Sequence, residues 1–212
     1  KICLTIYSSP WSEFAGGGQI AVHHLACALQ RMGHDVHVLY SKSQGEKISA
    51  QPPYTLHWAT HFHCATLNFD IFSFGRALKR LMKWEQFDII HGNAEEAFFA
   101  SDIAKNFKAG YLFTSHANTI LETGIVRGML RPLKFLKNLN NYLLRSSAFK
   151  ASRVITFSEF SKKLVVKGLR KKKGKRVIVV SPGIGPSWFE AKRQAEGSKD
   201  LVLWGRMEEQ KG

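Results

Sequence analysis

Short apolar runs rich in β-branched and aromatic residues alternate along the chain with longer segments whose apolar residues follow helical spacing. This alternation is typical of a parallel sheet whose strands are joined by crossover helices. Runs such as DIIH and VIVV are apolar on both faces, as expected of strands that helices cover on both sides. The strands are predicted at residues 2–7, 35–40, 54–58, 87–91, 111–115, 153–157, 177–181 and 201–204.

The helices between these strands are predicted at residues 19–32, 69–84, 94–107, 131–150 and 159–168. The first helix is expected to turn apolar residues toward the sheet and to end before Gly33, because glycine often follows a helix in the left-handed conformation. Those apolar residues are Ile20, Leu25, Cys27, Ala28 and Leu29. The pattern predicts an α/β fold, with a Rossmann-like parallel sheet and helices on both of its faces.

A domain boundary is predicted where both periodicities break, between residues 184 and 199. A new strand-like run follows this segment and stands close to the end of the sequence. We therefore expect one domain over residues 1–190. Residues 191–212 are expected to form a linker and the start of a second, truncated domain.

Composition narrows the class of protein. The 212 residues are 44% hydrophobic, which is enough for an ordinary buried core. No apolar run approaches the roughly 20 residues of a spanning helix, and the chain opens on the strand-like KICLTIY without a charged and then apolar leader. Three cysteines are too few and too scattered for a disulfide framework, so we expect a cytoplasmic protein.

The positive charge of the chain is concentrated in one segment. There are 31 basic and 16 acidic residues, a formal net charge of +15, and residues 123–189 hold 16 Lys and Arg against the single acid Glu159. Such a field attracts nucleic acid, phospholipid headgroups or a phosphorylated substrate. The alternative is a solvated surface that keeps the protein soluble.

A glycine-rich loop, Gly16, Gly17 and Gly18, separates the first strand from the first helix. Glycines let a backbone approach a ligand closely, and the helix behind them offers unpaired N–H groups to an anion. The loop matches neither the dinucleotide fingerprint nor the P-loop. We predict a binding loop for an acceptor or a phosphate, and a flexible strand-to-helix turn remains the alternative.

Polar residues follow three later strands. Asn93 follows the fourth strand, His116 and Asn118 follow the fifth, and Ser158 and Glu159 follow the sixth. The carboxyl ends of parallel strands meet at one edge, so these side chains are expected to line one crevice. His116 is the candidate for direct contact with a reacting substrate, and a histidine that merely caps a loop is the alternative.

The last segment, GRMEEQKG, directly follows the strand predicted at 201–204. Arg206 and Lys211 lie five residues apart on a glycine-flanked turn, where both could reach one diphosphate. An exposed, solvated tail is the alternative.

No metal site is predicted. His57, His61, His63 and Cys64 lie close together in the sequence but lack the paired spacing of zinc ligands. A serine nucleophile elbow is also absent from the sequence.

Six motifs taken together resemble the family 4 retaining glycosyltransferases, also called group 1. They are GGGQIAVHHLACALQRMGHDVHVLY, FDIIHGN, LFTSHAN, SRVITFSEFSKKLV, VIVVSPGIGPSWF and LVLWGRMEEQKG. The family has the GT-B fold, in which two Rossmann-like domains face each other. The resemblance implies that residues 1–190 form the acceptor-side domain and that 191–212 begin the nucleotide-sugar domain.

The resemblance also implies a function and roles for residues. It implies transfer of a sugar, of the hexosyl type, from a nucleotide sugar to a sugar or lipid-linked acceptor, with retention of configuration. Gly17 and Gly18 would flank the donor phosphates and the acceptor, and His116 would lie near the transferred sugar. Arg206 and Lys211 would hold the donor diphosphate in place of a metal, so no cofactor is expected. The segment 123–189 would dock on an anionic membrane at its inner face.

The sequence departs from the family pattern at three places. Asn93 stands where a histidine is common, the glycines at 183 and 185 lack the usual flanking Asn and Asp, and the family's paired glutamates are missing. We therefore expect that this chain alone transfers no sugar.

Two other functions remain open. A nucleic-acid-binding module could use the basic run near residue 170, although aromatic residues are not interleaved with it. A sugar- or phosphate-binding domain without catalysis is the other.

Overall fold

The computed structural model describes residues 1–13, 15–43, 45–61, 63–64, 67–68, 70–116, 131–169 and 176–183. The chain divides after Pro182, and the unit Lys1–Pro182 contains the described helices and strands. The strand predicted at 201–204 lies outside the described residues, and the predicted boundary at residue 190 stays a prediction.

The described residues form nine strands: β1 Ile2–Thr5, β2 Val36–Lys42, β3 Thr55–Thr60, β4 His63–Cys64, β5 Leu67–Asn68, β6 Ile89–Gly92, β7 Gly110–Thr114, β8 Arg153–Thr156 and β9 Val177–Val179. Seven of them form the parallel sheet at the core of the molecule, in the order β3-β2-β1-β6-β7-β8-β9. The two short strands, β4 and β5, form a separate antiparallel pair that the sequence did not predict. The predicted fold class is confirmed.

All five predicted helical segments are present. They are α1 Gly17–Arg31, α2 Asp70–Trp84, α3 Ala100–Asn106, α4 Arg131–Lys150 and α5 Glu159–Gly168. The third differs from the prediction, because a 3₁₀ turn at Glu95–Phe99 precedes α3. That turn lies so close to the sheet that a Cβ built on Gly92 would be 2.3 Å from the Cβ of Ala97. A glycine is required at this strand end for close approach.

Helices cover both faces of the sheet. Consecutive strand residues point to opposite faces, and Cys3 and Leu4 accordingly belong to two different core clusters. Helix α1 supplies Val22 and Ala26 to one cluster, while α2 supplies Phe74 and Leu78 to the other. The double-sided apolar pattern of the strands therefore has the structural cause that the sequence predicted.

The predicted inner face of α1 was wrong in part. Ile20 and Leu25 are 46% and 37% exposed, whereas the buried residues of the helix are Gln19, Val22 and Ala26. Gln19 occupies an inner position because its amide nitrogen donates to the Tyr7 carbonyl oxygen at 3.0 Å. The predicted helix end is confirmed, since Gly33 has φ +87°.

The order of the strands reverses on either side of β1. The chain builds β2 and β3 outward in one direction and then crosses to β6, which pairs with the other side of β1. Ligands of open α/β sheets bind at such a reversal, beyond the carboxyl ends of the two strands. No helix among the described residues is both long and apolar enough to span a membrane.

Candidate functional site

The glycine-rich loop forms the start of α1. Gly17 and Gly18 are the first two residues of the helix, and the backbone nitrogen of Gly16 donates to Gln19 Oε1 at 2.9 Å. Apart from its chain neighbours and the backbone of its own helix, no described residue comes within 4 Å of the place that a Cβ of Gly17 would occupy. The first turn of a helix has N–H groups without intrahelical partners and carries a partial positive charge. An anion can therefore approach the backbone here.

His116, two residues after the end of β7, lies against this helix start. A Cβ built on Gly18 would be 3.6 Å from His116 Nδ1, and the ring of Phe157 packs edge-on against the imidazole at 5.1 Å. Phe157 follows β8. The loops after β1, β7 and β8 thus meet around His116, at the carboxyl edge of the sheet, as the sequence predicted. The catalytic role of His116 stays a prediction.

Asn93, after β6, is buried beneath His116 and is 3% exposed. Its Nδ2 donates to the carbonyl oxygens of Thr5 at 3.0 Å and His91 at 3.2 Å. Its Oδ1 lies 2.8 Å from His116 Nε2. One side chain thus joins the last residue of β1, a residue of β6 and the histidine that follows β7.

Glu96 is a buried residue of this site that the sequence did not identify. Its Oε1 accepts from the backbone nitrogens of Asn93 and Ala94, at 3.3 and 3.2 Å, and from Thr5 Oγ1 at 3.1 Å. Burial raises its pKa to about 8, so the carboxyl is largely protonated at neutral pH. Its Oε2 is buried without a hydrogen-bond partner among the described residues. Its position in the first turn of a helical segment, shortly after a strand end, is the sequence feature that could have identified it.

Both histidines of the site are neutral at physiological pH. Burial lowers the pKa of His116 to about 4. Burial, and the nearby ring of His116, also lower the pKa of His91 to about 4. His91 Nε2 lies 2.6 Å from Thr114 Oγ1. This contact gives the buried Nε2 a hydrogen-bond partner inside the sheet.

Ser158 and Glu159 have structural partners. Ser158 is the N-cap of α5, and its Oγ accepts from the backbone nitrogen of Ser161 at 3.1 Å. The exposed Glu159 pairs with Lys162 at 3.4 Å. These contacts stabilise the start of the helix. The predicted roles of both residues in the crevice stay predictions, and Asn118, Arg206 and Lys211 lie outside the described residues.

The histidines near β3 have partners of their own. The ring of His57 stacks on that of His37, with His37 Nδ1 2.8 Å from His57 Nε2. His61 pairs with the buried Asp70. Among the described residues, no three His, Cys, Asp or Glu side chains are grouped so that they could hold a metal ion. The side chains of His63 and Cys64 are outside the described part of the chain.

Acidification from pH 6.5 to about 4 is expected to lower the free energy of unfolding through His91. Over this range the unfolded chain binds a proton on His91 that the folded chain does not yet accept. In His91→Gln this contribution is absent. Between the two pH values, the free energy of unfolding of this variant should therefore fall by roughly 3 kcal/mol less than that of the wild type. Urea unfolding at both pH values measures it, with the exposed His34→Gln as control. An equal loss in wild type and His91→Gln would contradict the prediction.

Comparison with known proteins identifies the family. The family model described as Glycosyltransferase Family 4 matches residues 15–188. Comparison with curated protein sequences found no match.

Solved structures similar to this chain include a sucrose-phosphate synthase and glycosyltransferases. Sucrose-phosphate synthase from Thermosynechococcus elongatus has a TM-score of 0.65 at 16% identity, over 85% of this chain and 48% of that chain. HepE from Anabaena, solved with UDP and glucose, has a TM-score of 0.55 at 15% identity, over 87% and 45%. A glycosyltransferase from Rickettsia africae has a TM-score of 0.52 at 16% identity, over 89% and 44%.

The chain spans about half the length of these structures. At such low identities they show a common fold, the GT-B fold of glycosyltransferases, of which the chain corresponds to one half. The family model, in contrast, covers most of the sequence. The chain therefore belongs to glycosyltransferase family 4.

Proposed function

We propose that the chain is the acceptor-side half of a glycosyltransferase that moves a hexose from a nucleotide sugar to an acceptor with retention of configuration. The observation that carries this proposal is the position of His116. Its ring lies beside the first turn of α1, at the edge where the strand order reverses. A histidine and a helix N-terminus at that point match the needs of a substrate with both a sugar and a diphosphate.

A nucleotide-sugar donor is supported by one structural neighbour. HepE from Anabaena was solved with UDP-glucose, at a TM-score of 0.56 and 14% identity to this chain. We propose the same class of donor here. In this proposal the backbone at Gly17 and Gly18 lies beside the donor phosphates and the acceptor, and His116 lies beside the transferred sugar.

Charge stabilisation is the proposed chemical contribution of the protein. Negative charge grows on the leaving diphosphate as the glycosidic bond breaks, and fixed positive groups lower the energy of that state. We propose Arg206 and Lys211 for this role, with the partial charge of the α1 N-terminus added to theirs. In this proposal they replace a metal, and no cofactor is required.

We propose that the acceptor is a sugar or a lipid-linked molecule. A phosphorylated acceptor of either kind is included in this proposal. The concentration of basic residues in 123–189 supports an anionic partner of this kind. We propose that the protein acts in the cytoplasm, at the inner face of a membrane.

A nucleic-acid-binding module remains the second candidate function, because the basic run near residue 170 supplies phosphate contacts. It leaves the buried Asn93 and His116 pair without a purpose.

Saturation-transfer NMR on the purified chain tests the proposed donor. Irradiation of the protein is expected to transfer signal to the glucose protons of UDP-glucose. His116→Ala removes one hydrogen-bonding group and is expected to weaken binding about fivefold. His34→Ala, which removes an exposed histidine, is expected to leave the signal unchanged. Salt-sensitive binding of duplex DNA, together with no response to UDP-glucose, would instead favour the second candidate.

The isolated chain is expected to release no UDP from UDP-glucose and to transfer no sugar, because the proposal places most of the nucleotide contacts in a second domain. A coupled UDP-release assay on the purified chain measures this. Turnover above that of His116→Ala would contradict it.

A further inference from the structure

The orientation of the Asn93 amide is determined by its neighbours. The amide nitrogen faces the carbonyl oxygens of Thr5 and His91, at 3.0 and 3.2 Å. A carbonyl oxygen only accepts hydrogen bonds, so the atom facing the two carbonyls must be the donor, Nδ2. The other amide atom, the acceptor Oδ1, therefore faces His116.

That orientation determines where His116 carries its proton. Nε2 lies 2.8 Å from Asn93 Oδ1, which cannot donate, so Nε2 must carry the hydrogen. Burial lowers the pKa of the imidazole to about 4, so the ring holds only one proton at neutral pH. Nδ1 is consequently left with its lone pair.

The unprotonated nitrogen faces the start of α1. Nδ1 is the ring atom 3.6 Å from the Cβ position of Gly18, and within the described residues the only hydrogen bond of His116 is made by Nε2. The crevice thus places one acceptor, Nδ1, beside the donors of the first helical turn.

We propose that Asn93 holds His116 with its proton on Nε2, so that Nδ1 accepts a hydrogen bond from a hydroxyl group of the substrate. Asn93 is a positioning residue in this scheme, since it acts through His116. A phosphate oxygen only accepts and is negative, so it is repelled by the Nδ1 lone pair and binds instead to the N–H groups of α1. The two groups would thereby hold the sugar and the phosphates of one ligand in separate places. The identity of that ligand rests on the proposed function.

Nitrogen-15 NMR of the histidine rings in the ligand-free chain tests the tautomer. The signals of His116 are assigned by their loss in His116→Gln. We expect protonated Nε2 and unprotonated Nδ1 at neutral pH, with the Nε2 proton slow to exchange. Asn93→Ala removes the acceptor, so that slow exchange should be lost. Asn106→Ala, on the exposed end of α3, is the matched control and should change nothing.

A protonated Nδ1 in the wild-type chain would overturn the proposal, and so would an unchanged Nε2 proton in Asn93→Ala. UDP-glucose is expected to shift the Nδ1 resonance, while inorganic phosphate is expected to leave it in place. A protonated Nδ1 in the presence of phosphate would also overturn it. The tautomer is measured without ligand, so a failure of UDP-glucose to bind would count against the proposed function alone.

Discussion

The site depends on the three hydrogen bonds of one buried amide. Asn93 joins the carbonyl oxygens of Thr5 and His91 to the ring of His116, and so connects residues of β1 and β6 with the loop after β7. A buried amide without partners would cost free energy, so each of these contacts constrains the others. The arrangement requires β1 and β6 to be neighbours, which follows from the reversal of strand order. The strand order and the hydrogen bonds of Asn93 therefore both place His116 at the same edge of the sheet.

The buried groups beneath the crevice are neutral for a common reason. Burial disfavours the charged form, and it raises the pKa of Glu96 while it lowers those of His91 and His116. A carboxylate at Glu96 would repel an anion at the start of α1. Because the acid is protonated, it carries no negative charge that would offset the partial positive charge at the start of α1. In the proposed site, backbone groups would therefore hold an anion without help from a cationic side chain beneath it.

Periodicity was sufficient to predict the seven strands of the parallel sheet and the five helices, because burial of apolar residues dominates the sequence of these elements. It did not predict the short pair β4 and β5. It failed where a polar side chain is buried by a distant partner. Gln19 occupies an inner position of α1 because of the Tyr7 carbonyl, and Glu96 is buried because of Thr5, which is far away in the sequence. A polar residue after a strand can belong to a binding site or can cap the following helix. This pattern located His116 correctly at the carboxyl edge, but the contacts of Ser158 are those of a helix cap.

Charge counted along a sequence is a poor map of charge on a surface. Residues 1–122 contain equal numbers of basic and acidic residues and gave no sign of a cationic face. In the folded chain three acids on or beside α2 are engaged elsewhere: Asp70 with His61, Glu85 with Lys1 and Asp102 with Lys150. The exposed cations of α2 have no ion-pair partner among the described residues; they are Arg76, Lys79, Arg80 and Lys83. A segment that is neutral by count can therefore present a strongly positive surface, because folding pairs its acids and exposes its bases.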